Sequence, residues 1–458
     1  MIYTIEQLEQ MMRENGGNLD LQFSDVTSLP DNLTVRGWLD LRGTHMTSLP
    51  DNLTVGGSLW LENVPITSLP DNLKVGRGLF LRGTPITSLP ENLTVGVWLD
   101  LSGTLITSLP DNLKVDGSLY LNDTQMTALP DNLTVGGSLW LKNTPITSLP
   151  DNLRVGDELN LKGTNITSLP DNLTVCGSLW LNNTPITSLP DNLKIGGSLN
   201  LEGTQVTSLP DNLMVGGNLH LEGTSITSLP DNLTVEGFLE LSYTPITLLP
   251  DNLKIGGSLN LEGTQIASLP DNLTVGGNLY LEGTSITLLP DNLAVGGEII
   301  FDGGKIKNSG HYKRLQNGDY VEGEYLFADG LLIHVKRAKK IGAYTFYIGR
   351  VPGVNVLFDG KYYAHCKTFR EGVMDIEFKR ASDRDTERYR PLTLDSEVSG
   401  DEAITMYRAI TGACQQGTES FVNSLKDTKD RYTVREIISI TKGQYGSRTF
   451  AEFFERGN

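Results

Sequence analysis

The stretch "LPDNLTVGGSLWLENVPITSLPDNL", residues 49–73, contains its own beginning again: Leu49-Pro-Asp-Asn-Leu53 returns as Leu69-Pro-Asp-Asn-Leu73. Outward from it, every block of twenty residues from Leu21 to Ile300 follows L-x-x-T-x-I-T-S-L-P-D-N-L-x-V-x-G-x-L-x, in fourteen copies, one for each LPDN or LPEN. A period kept this strictly describes one supersecondary unit stacked on itself, each copy burying its apolar face against its neighbours. The 458 residues therefore need not divide as length alone would suggest, because a repeat array grows without splitting. Within one copy the fixed apolar columns are Leu59, Leu61, Ile66, Leu69, Leu73 and Val75. Leu59 and Leu61 are two apart, the spacing that turns both side chains of a strand to the same side. Pro70 and the Gly-rich stretch around Gly56 and Gly57 suit an extended or turn-like return arm and not a helix.

The pattern "L-x-L-x-x-T-x-I-T-S-L-P-D-N-L" resembles the leucine-rich repeat, and its short length with Leu-Pro on the return arm is similar to the repeats of bacterial type III secretion effectors. The resemblance covers residues 21 to 305 and implies a solenoid with a parallel β-sheet on its concave face and an extended or turn-like convex side. It departs from the family where an asparagine normally ladders up the stack. That column holds threonine here (Thr44, Thr84, Thr104, Thr124), with Ser24 and Val64 as exceptions. A hydroxyl offers fewer hydrogen-bonding sites than an amide, so a weaker ladder is expected, with a rung missing at Val64.

The ends of an array need caps. Thr4 and Gln7 fit the T-x-x-Q capping box, with Leu8, Met11 and Met12 as the apolar face, which predicts a short helix over 5–14. Residues 1–20 are thus read as an N-terminal cap and 21–310 as the solenoid. At the far end "FDGGKIKNSG" keeps Phe301 and Ile306 in register and replaces Leu-Pro by Asn308-Ser309. Residues 311–458 read as a small α+β domain that caps the array. Aromatic and β-branched runs come first, with Asp359-Gly360 as the signal of a tight hairpin. Helix starts follow at Thr368 (with Glu371), Ser399 and Thr433 (with Glu436), and "SRTFAEFFERGN" is expected to be a terminal helix. The wording "MYRAITGACQQG" and "YYAHCKTFREGVMDIEFK" resembles the C-terminal regions of uncharacterised repeat proteins encoded by phages and prophages. That resemblance implies a genetic setting and no chemistry.

Charge divides along the same line. Residues 1–300 hold 12 Lys and Arg against 33 Asp and Glu, and residues 301–458 hold 25 against 22, within a net charge of -18. One acid per repeat comes from the LPDN turn. This negative ridge repels phosphates and anionic membranes, so nucleic acid and membrane are poor partners. As a docking stripe for a basic partner the ridge is outweighed by the plainer reading of a solubility device. The three cysteines, Cys176, Cys366 and Cys414, are odd in number and far apart, which points to a reducing, cytoplasm-like compartment. The start "MIYTIEQLEQMMRENGG" lacks the features of a signal peptide, and no apolar run approaches the ~20 residues of a membrane span. Secretion through a dedicated apparatus would leave the same sequence.

With Leu59 and Leu61 facing in, Trp60 faces out onto the strand surface. Trp140 and Trp180 share its column. Trp38 and Trp98 occupy the outward column just before the first inward leucine, and Phe80 and Tyr120 join the rings. The outward column after the second leucine adds Arg42, Glu62, Arg82, Lys142 and Lys162, and later Glu202, Glu222, Glu262 and Glu282. Aromatic side chains with arginine are what interface cores are enriched in. The competing reading is that the rings stack along the ladder for cross-strand stability, worth ~0.2–1 kcal/mol a pair. Gaps at Asp100 and Asn160 break any continuous ladder, which favours binding. The partner-binding candidates are therefore Trp38, Trp60, Phe80, Arg82, Trp98, Tyr120, Trp140, Lys142, Lys162 and Trp180, on a face on the order of 65 Å long at ~4.8 Å per strand.

No G-x-x-x-x-G-K-[ST], H-E-x-x-H, paired C-x-x-C or G-x-S-x-G is present. No catalytic residue, metal site or cofactor is expected. His365 and Cys366 are neighbours on an expected strand and so point to opposite faces, while a pairing of Cys366 or Cys414 with His334 through the fold stays open. Some effectors with similar repeats carry a ubiquitin-ligase domain with a Cys-x-Asp active site. Here Cys366 is followed by Lys367-Thr368 and Cys414 by Gln415-Gln416, so that activity is not implied. "HVKRAKK", 334–340, reads as a solvated edge strand protected by lysines, in preference to a nucleic-acid patch. The function this sequence points to is a non-enzymatic protein-binding module in a phage or prophage setting. Alternatives are an effector with an unrecognised enzymatic C-terminal domain and a virion or assembly component.

Overall fold

The computed structural model describes all residues except 1, 112, 192, 287–288, 291, 302–303, 307–317, 322–324, 329–330, 350–354, 383–385, 414, 426–427, 443, 445 and 456–458; at 304–306, 321, 331–332, 416–417 and 420 it describes the backbone alone. The chain forms two compact units, Met1–Ile246 with Ile255–Asn260, and Thr247–Lys254 with Leu261–Asn458.

In the first unit the twenty-residue period becomes one turn of a leucine-rich-repeat solenoid. The short strands from Leu19–Asp20 through Leu59–Trp60 to Leu259–Asn260 pair in parallel, each leucine opposite the leucine twenty residues on. Each backbone bond steps one turn forward, as from the Leu61 N–H to the Phe80 carbonyl at 2.8 Å. Leu59, Leu61, Ile66 and Leu73 are fully buried, and Leu69 and Val75 nearly so. Six apolar side chains per turn, each worth ~1.5–3 kcal/mol when taken from water, make this column the source of the stack's stability. The return arm has no helix. It carries a second set of parallel two-residue strands, Thr34–Val35 through Thr94–Val95 and then Lys114–Val115 onward.

Between the second inward leucine and the threonine the backbone enters the left-handed region, at Gly43, Asn63, Gly83, Gly103, Asp123 and Asn143 among others. Glycine, asparagine and aspartate bear that conformation at least cost, which explains why the column tolerates little else. Phe23 and Tyr243 are its exceptions, at φ 55 and 57.

The expected threonine ladder is not a ladder. Thr44, Thr84, Thr104, Thr124, Thr144 and their successors donate the hydroxyl to the carbonyl three residues back in their own turn, as from Thr84 Oγ1 to the Leu81 oxygen at 2.7 Å. They close a tight turn beside the buried leucine and do not reach the next rung. At Val64 only the backbone N–H, 3.0 Å from the Leu61 oxygen, serves that carbonyl.

Turn-to-turn polar bonding lies in another column, just before the first inward leucine. The Ser138 hydroxyl accepts from the Glu158 N–H at 3.3 Å, the Ser198 hydroxyl from the Asn218 N–H at 2.9 Å, and the Asn218 side-chain oxygen from the Phe238 N–H at 2.8 Å. The Asn18 oxygen does the same for Trp38. A second, exposed set joins the LPDN asparagines, as from Asn52 Nδ2 to Asn32 Oδ1 at 3.0 Å.

The N-terminal helix runs Ile5–Glu14 behind a complete capping box: the Gln7 N–H donates to Thr4 Oγ1, and the Thr4 N–H to Gln7 Oε1. Leu8 and Met12 are its buried residues.

In the second unit the strand Leu279–Tyr280 pairs in parallel with Ile299–Phe301, and Gly304–Ile306 then runs antiparallel to the latter, Ile306 opposite Ile299. Ile299–Phe301 is thus the next parallel strand, and Ile306 leaves the repeat's path on the returning side of a hairpin. The expected replacement at Asn308-Ser309 lies outside the described residues. An antiparallel meander of six strands follows: Tyr320–Val321, Tyr325–Ala328, Leu331–Ile341, Tyr344–Gly349, Asn355–Phe358 and Tyr363–Cys366. The last hairpin closes through four residues, Asp359 to Tyr362, with Gly360 at φ 100 and the Asp359 carboxylate accepting from the Lys361 and Tyr362 N–H groups. The expected two-residue turn is therefore replaced by an Asp-anchored loop.

Helix Phe369–Ser382 packs Ile376 and Val373 on Leu357, Ala364 and Cys366 of the sheet. Helices Gly400–Thr411, Gln415–Ser424, Val434–Ile440 and Ser447–Glu455 follow. Met406, Tyr407, Val434, Ile437, Phe450 and Phe454 make a core of their own. Ser399 caps one helix and Thr433 with Glu436 another; at Thr368 the hydroxyl accepts from the Glu371 N–H, while the Glu371 carboxylate reaches back to the Lys367 N–H. A buried ion pair, Asp375 with Arg408, ties two of these helices, and the Asp375 carboxylate also accepts from the Gln415 N–H at 3.0 Å.

Candidate functional site

The strand face of the first unit holds all five tryptophans, as strand parity requires: each is partly exposed while the flanking leucines are buried. Two ring clusters form. Trp38 meets Trp60 edge-on at 5.6 Å, and Trp60 stacks on Phe80 at 5.8 Å with 7° between planes. Tyr120 stacks on Trp140 at 6.1 Å. Trp98 is the most open of the rings, at 41%. Trp180 lies opposite Asn160 and Asn200. Stacking and exposure therefore coexist: neighbouring rings support one another and keep a free face. Arg42 is engaged within the face itself. Its guanidinium grips the Asp40 carboxylate with two nitrogens, reaches Glu62 at 3.4 Å and lies over the Trp60 ring. The Asp40 hydrogen bond and charge hold it protonated. Arg82, Lys142 and Lys162 make no ion pair among the described residues.

The positions between the rings have their own work. Where the ring column holds Asp40, Asp100, Asn160 or Asn200, its side-chain oxygen accepts from the N–H two residues on, as Asp100 does from Ser102 at 2.9 Å. Asp100 and Asn160, gaps in the row of rings, thus cap the strand end. The Ser and Asn column that joins the turns was missed. Its signal was present, an oxygen-bearing residue recurring just before the inward leucine at Ser118, Ser138, Ser178, Ser198, Asn218 and Asn278. Trp180 Nε1 and Asn182 Oδ1 are buried without a hydrogen-bond partner.

In the second unit Cys366 belongs to the cluster with Leu357 and Ile376. His365, adjacent on the same strand, lies opposite Val356, a member of the other face's cluster. Both ring nitrogens of His365 lack a partner, and burial, with the Lys379 charge, holds its pKa down to about 4. His334 is three strands away from Cys366 and stacks on Tyr325, whose hydroxyl is 3.2 Å from Nδ1. The conceivable Cys366–His334 pair is therefore absent, and Cys414 lies outside the described residues. Burial pushes the Asp375 carboxyl up despite Arg408 and Lys379. Leu331–Ile341 is an interior strand of the meander, but its neighbour Tyr325–Ala328 stops opposite Leu331–His334. Val335–Ile341 thus pairs with one strand among the described residues, and Lys336, Arg337, Lys339 and Lys340 stand exposed along it. Among the described residues no group of three His, Cys, Asp or Glu could hold a metal ion, and no helix is long and apolar enough to cross a membrane.

No protein-family model and no curated protein matches the chain. Solved structures do. The leucine-rich effector YopM of Yersinia pestis aligns at 18% identity over 65% of this chain and 92% of its own, with a TM-score of 0.41. YopM of Yersinia enterocolitica aligns at 19% over 63% and 84%, TM-score 0.33. The Toll–Spätzle complex of Drosophila aligns at 15% over 75% and 52%, TM-score 0.38. The leucine-rich-repeat solenoid itself is read from the strand register of this chain.

Proposed function

We propose that the chain is a protein-binding module whose strand face, from Trp38 to Trp180, takes up a protein partner through Trp38, Trp60, Phe80, Trp98, Tyr120, Trp140 and Trp180, with Arg82, Lys142 and Lys162 around them. In this reading residues 1–20 are the cap, 21–310 the binding array and 311–458 a small α+β domain. It acts without catalysis in the cytoplasm of a bacterium carrying a phage or prophage. The observation that carries the reading is the placement of every tryptophan on one strand face, three of them between buried leucines and Trp38 and Trp98 just before one. Aromatic anchors are what interface cores concentrate, and cross-strand stacking accounts only for Trp38–Trp60–Phe80 and Tyr120–Trp140. Affinity capture from bacterial lysate tests it, using the intact protein beside a folded variant with Trp60, Trp140 and Trp180 changed to alanine. A protein held by the first and lost by the second is expected. Equal capture by both would return the rings to a structural role.

A further inference from the structure

Resting on the strand-face reading, we infer that the occupant of the stretch from Phe80 to Asn182 is an acidic, aromatic-bearing polypeptide segment, its carboxylates seated on Lys142 and Lys162.

Lys142 and Lys162 occupy the same column of adjacent turns, in a sheet whose strands lie ~4.8 Å apart. Like charges directly opposite one another on neighbouring strands repel. Elsewhere on this face the chain neutralises a cation from within, as Asp40 and Glu62 do for Arg42. Neither lysine has a carboxylate partner among the described residues, although Lys162 is half-buried. Asn160, between them and the next ring, spends its oxygen on the Lys162 N–H. A carboxylate supplied from outside relieves the repulsion and forms charge-assisted hydrogen bonds.

Two further observations agree. The Trp180 indole N–H and the Asn182 side-chain oxygen are buried and unpartnered, one donor and one acceptor two residues apart on the same strand face. A buried polar atom left unpaired is unfavourable. A backbone amide carries the complementary pair. The Tyr120–Trp140 stack, on the turns just before, supplies an apolar platform. Beyond Asn182 the face carries Glu202, Glu222 and Glu240, which bar a carboxylate and set the end of the site. Single-stranded nucleic acid also stacks on rings, but it needs a continuous basic track. Asp100 and Glu158 interrupt this one, leaving a basic patch confined to the Lys142–Lys162 pair.

The test uses the full chain and three probes: a glutamate–tyrosine copolymer, a lysine–tyrosine copolymer and oligothymidylate, followed by tryptophan emission and titrated at low and high salt. The expected result is a salt-sensitive emission change with the glutamate copolymer, at least tenfold weaker for Lys142→Glu with Lys162→Glu. Lys74→Glu with Lys194→Glu on the return arm should behave as the intact protein. A neutral pair, Lys142→Gln with Lys162→Gln, guards against misfolding and should fall between. Preference for either other probe, or equal binding by the double reversal, overturns the acidic assignment. If the double reversal leaves ring-dependent capture from lysate intact, the strand-face reading stands without it; if the triple tryptophan variant also captures normally, both fall.

Discussion

A buried leucine of the solenoid and a buried phenylalanine of the C-terminal helices are both fully enclosed, but their surroundings differ in kind. Leu139 is flanked by Leu119 and Leu159 in identical register, and the same environment recurs twenty residues away in both directions. Phe450 meets Tyr407 at 4.9 Å and Phe454 at 5.2 Å in a setting used once. In the array stability is a sum of like neighbour terms, so a lesson learned at one turn transfers to the others. In the helical core the parts are unlike and fail together.

The sharpest way to break that contrast is Phe450→Ala. A large aromatic truncated in a closed core costs ~3–5 kcal/mol. Thermal unfolding followed by circular dichroism should show a transition of the C-terminal helices lowered by many degrees, with the sheet signal of the array unmoved. A single merged transition would mean that the regions do not differ as described.

The next effect is a pH dependence confined to the C-terminal sheet. His365 is depressed from 6.5 to about 4 in the folded chain. The unfolded state therefore binds more protons between these values, so stability is present above pH 6.5 and is lost as pH falls toward 4. The full window corresponds to about 3 kcal/mol at 1.36 kcal/mol per unit. Denaturant unfolding at pH 7 and pH 4.5 should show the loss, and His365→Leu should flatten it. An unchanged slope in that variant would assign the acid sensitivity to other groups.

The smallest effects lie in the array and come as a pair of opposite sign. Ser138→Ala removes the acceptor of the Glu158 N–H and should cost about 1 kcal/mol. Val64→Thr restores the hydroxyl that the other turns use on the carbonyl three residues back, and should gain somewhat less. Urea midpoints measure both. If Ser138→Ala is silent, turn-to-turn polar bonding contributes nothing beyond the apolar column.

Period, strand parity and caps were legible because each rests on local geometry. The leucine columns, the outward tryptophans and the Thr4 box follow from spacing alone. The direction of a hydroxyl did not, since whether Thr84 bonds its own turn or the next depends on how the left-handed residue before it aims the backbone. Ser138, between Gly137 and Leu139, likewise gives no local sign of which turn its hydroxyl serves. The hairpin at Phe301 escaped notice because Phe301 and Ile306 satisfy the repeat's apolar positions whichever way the chain runs. The lysine-rich half of Leu331–Ile341 was legible as a solvated edge strand, because its lysines stand where one neighbouring strand has already ended.

The ladder of side-chain oxygens has a consequence for inheritance. Ser138, Ser198 and Asn218 each accept from the turn that follows, whereas Trp38, Gly78, Trp98 and Phe238 hold the same position without a side-chain oxygen, so what every junction shares is the leucine register. A recombination event that adds or deletes one whole repeat therefore keeps the leucine register, and keeps the oxygen bond wherever serine or asparagine precedes the inward leucine. What it changes is the interval between ring clusters such as Trp60–Phe80 and Tyr120–Trp140. The gene can thus re-space its candidate anchors in steps of one turn, searching for partners of different dimensions without having to solve the folding problem again.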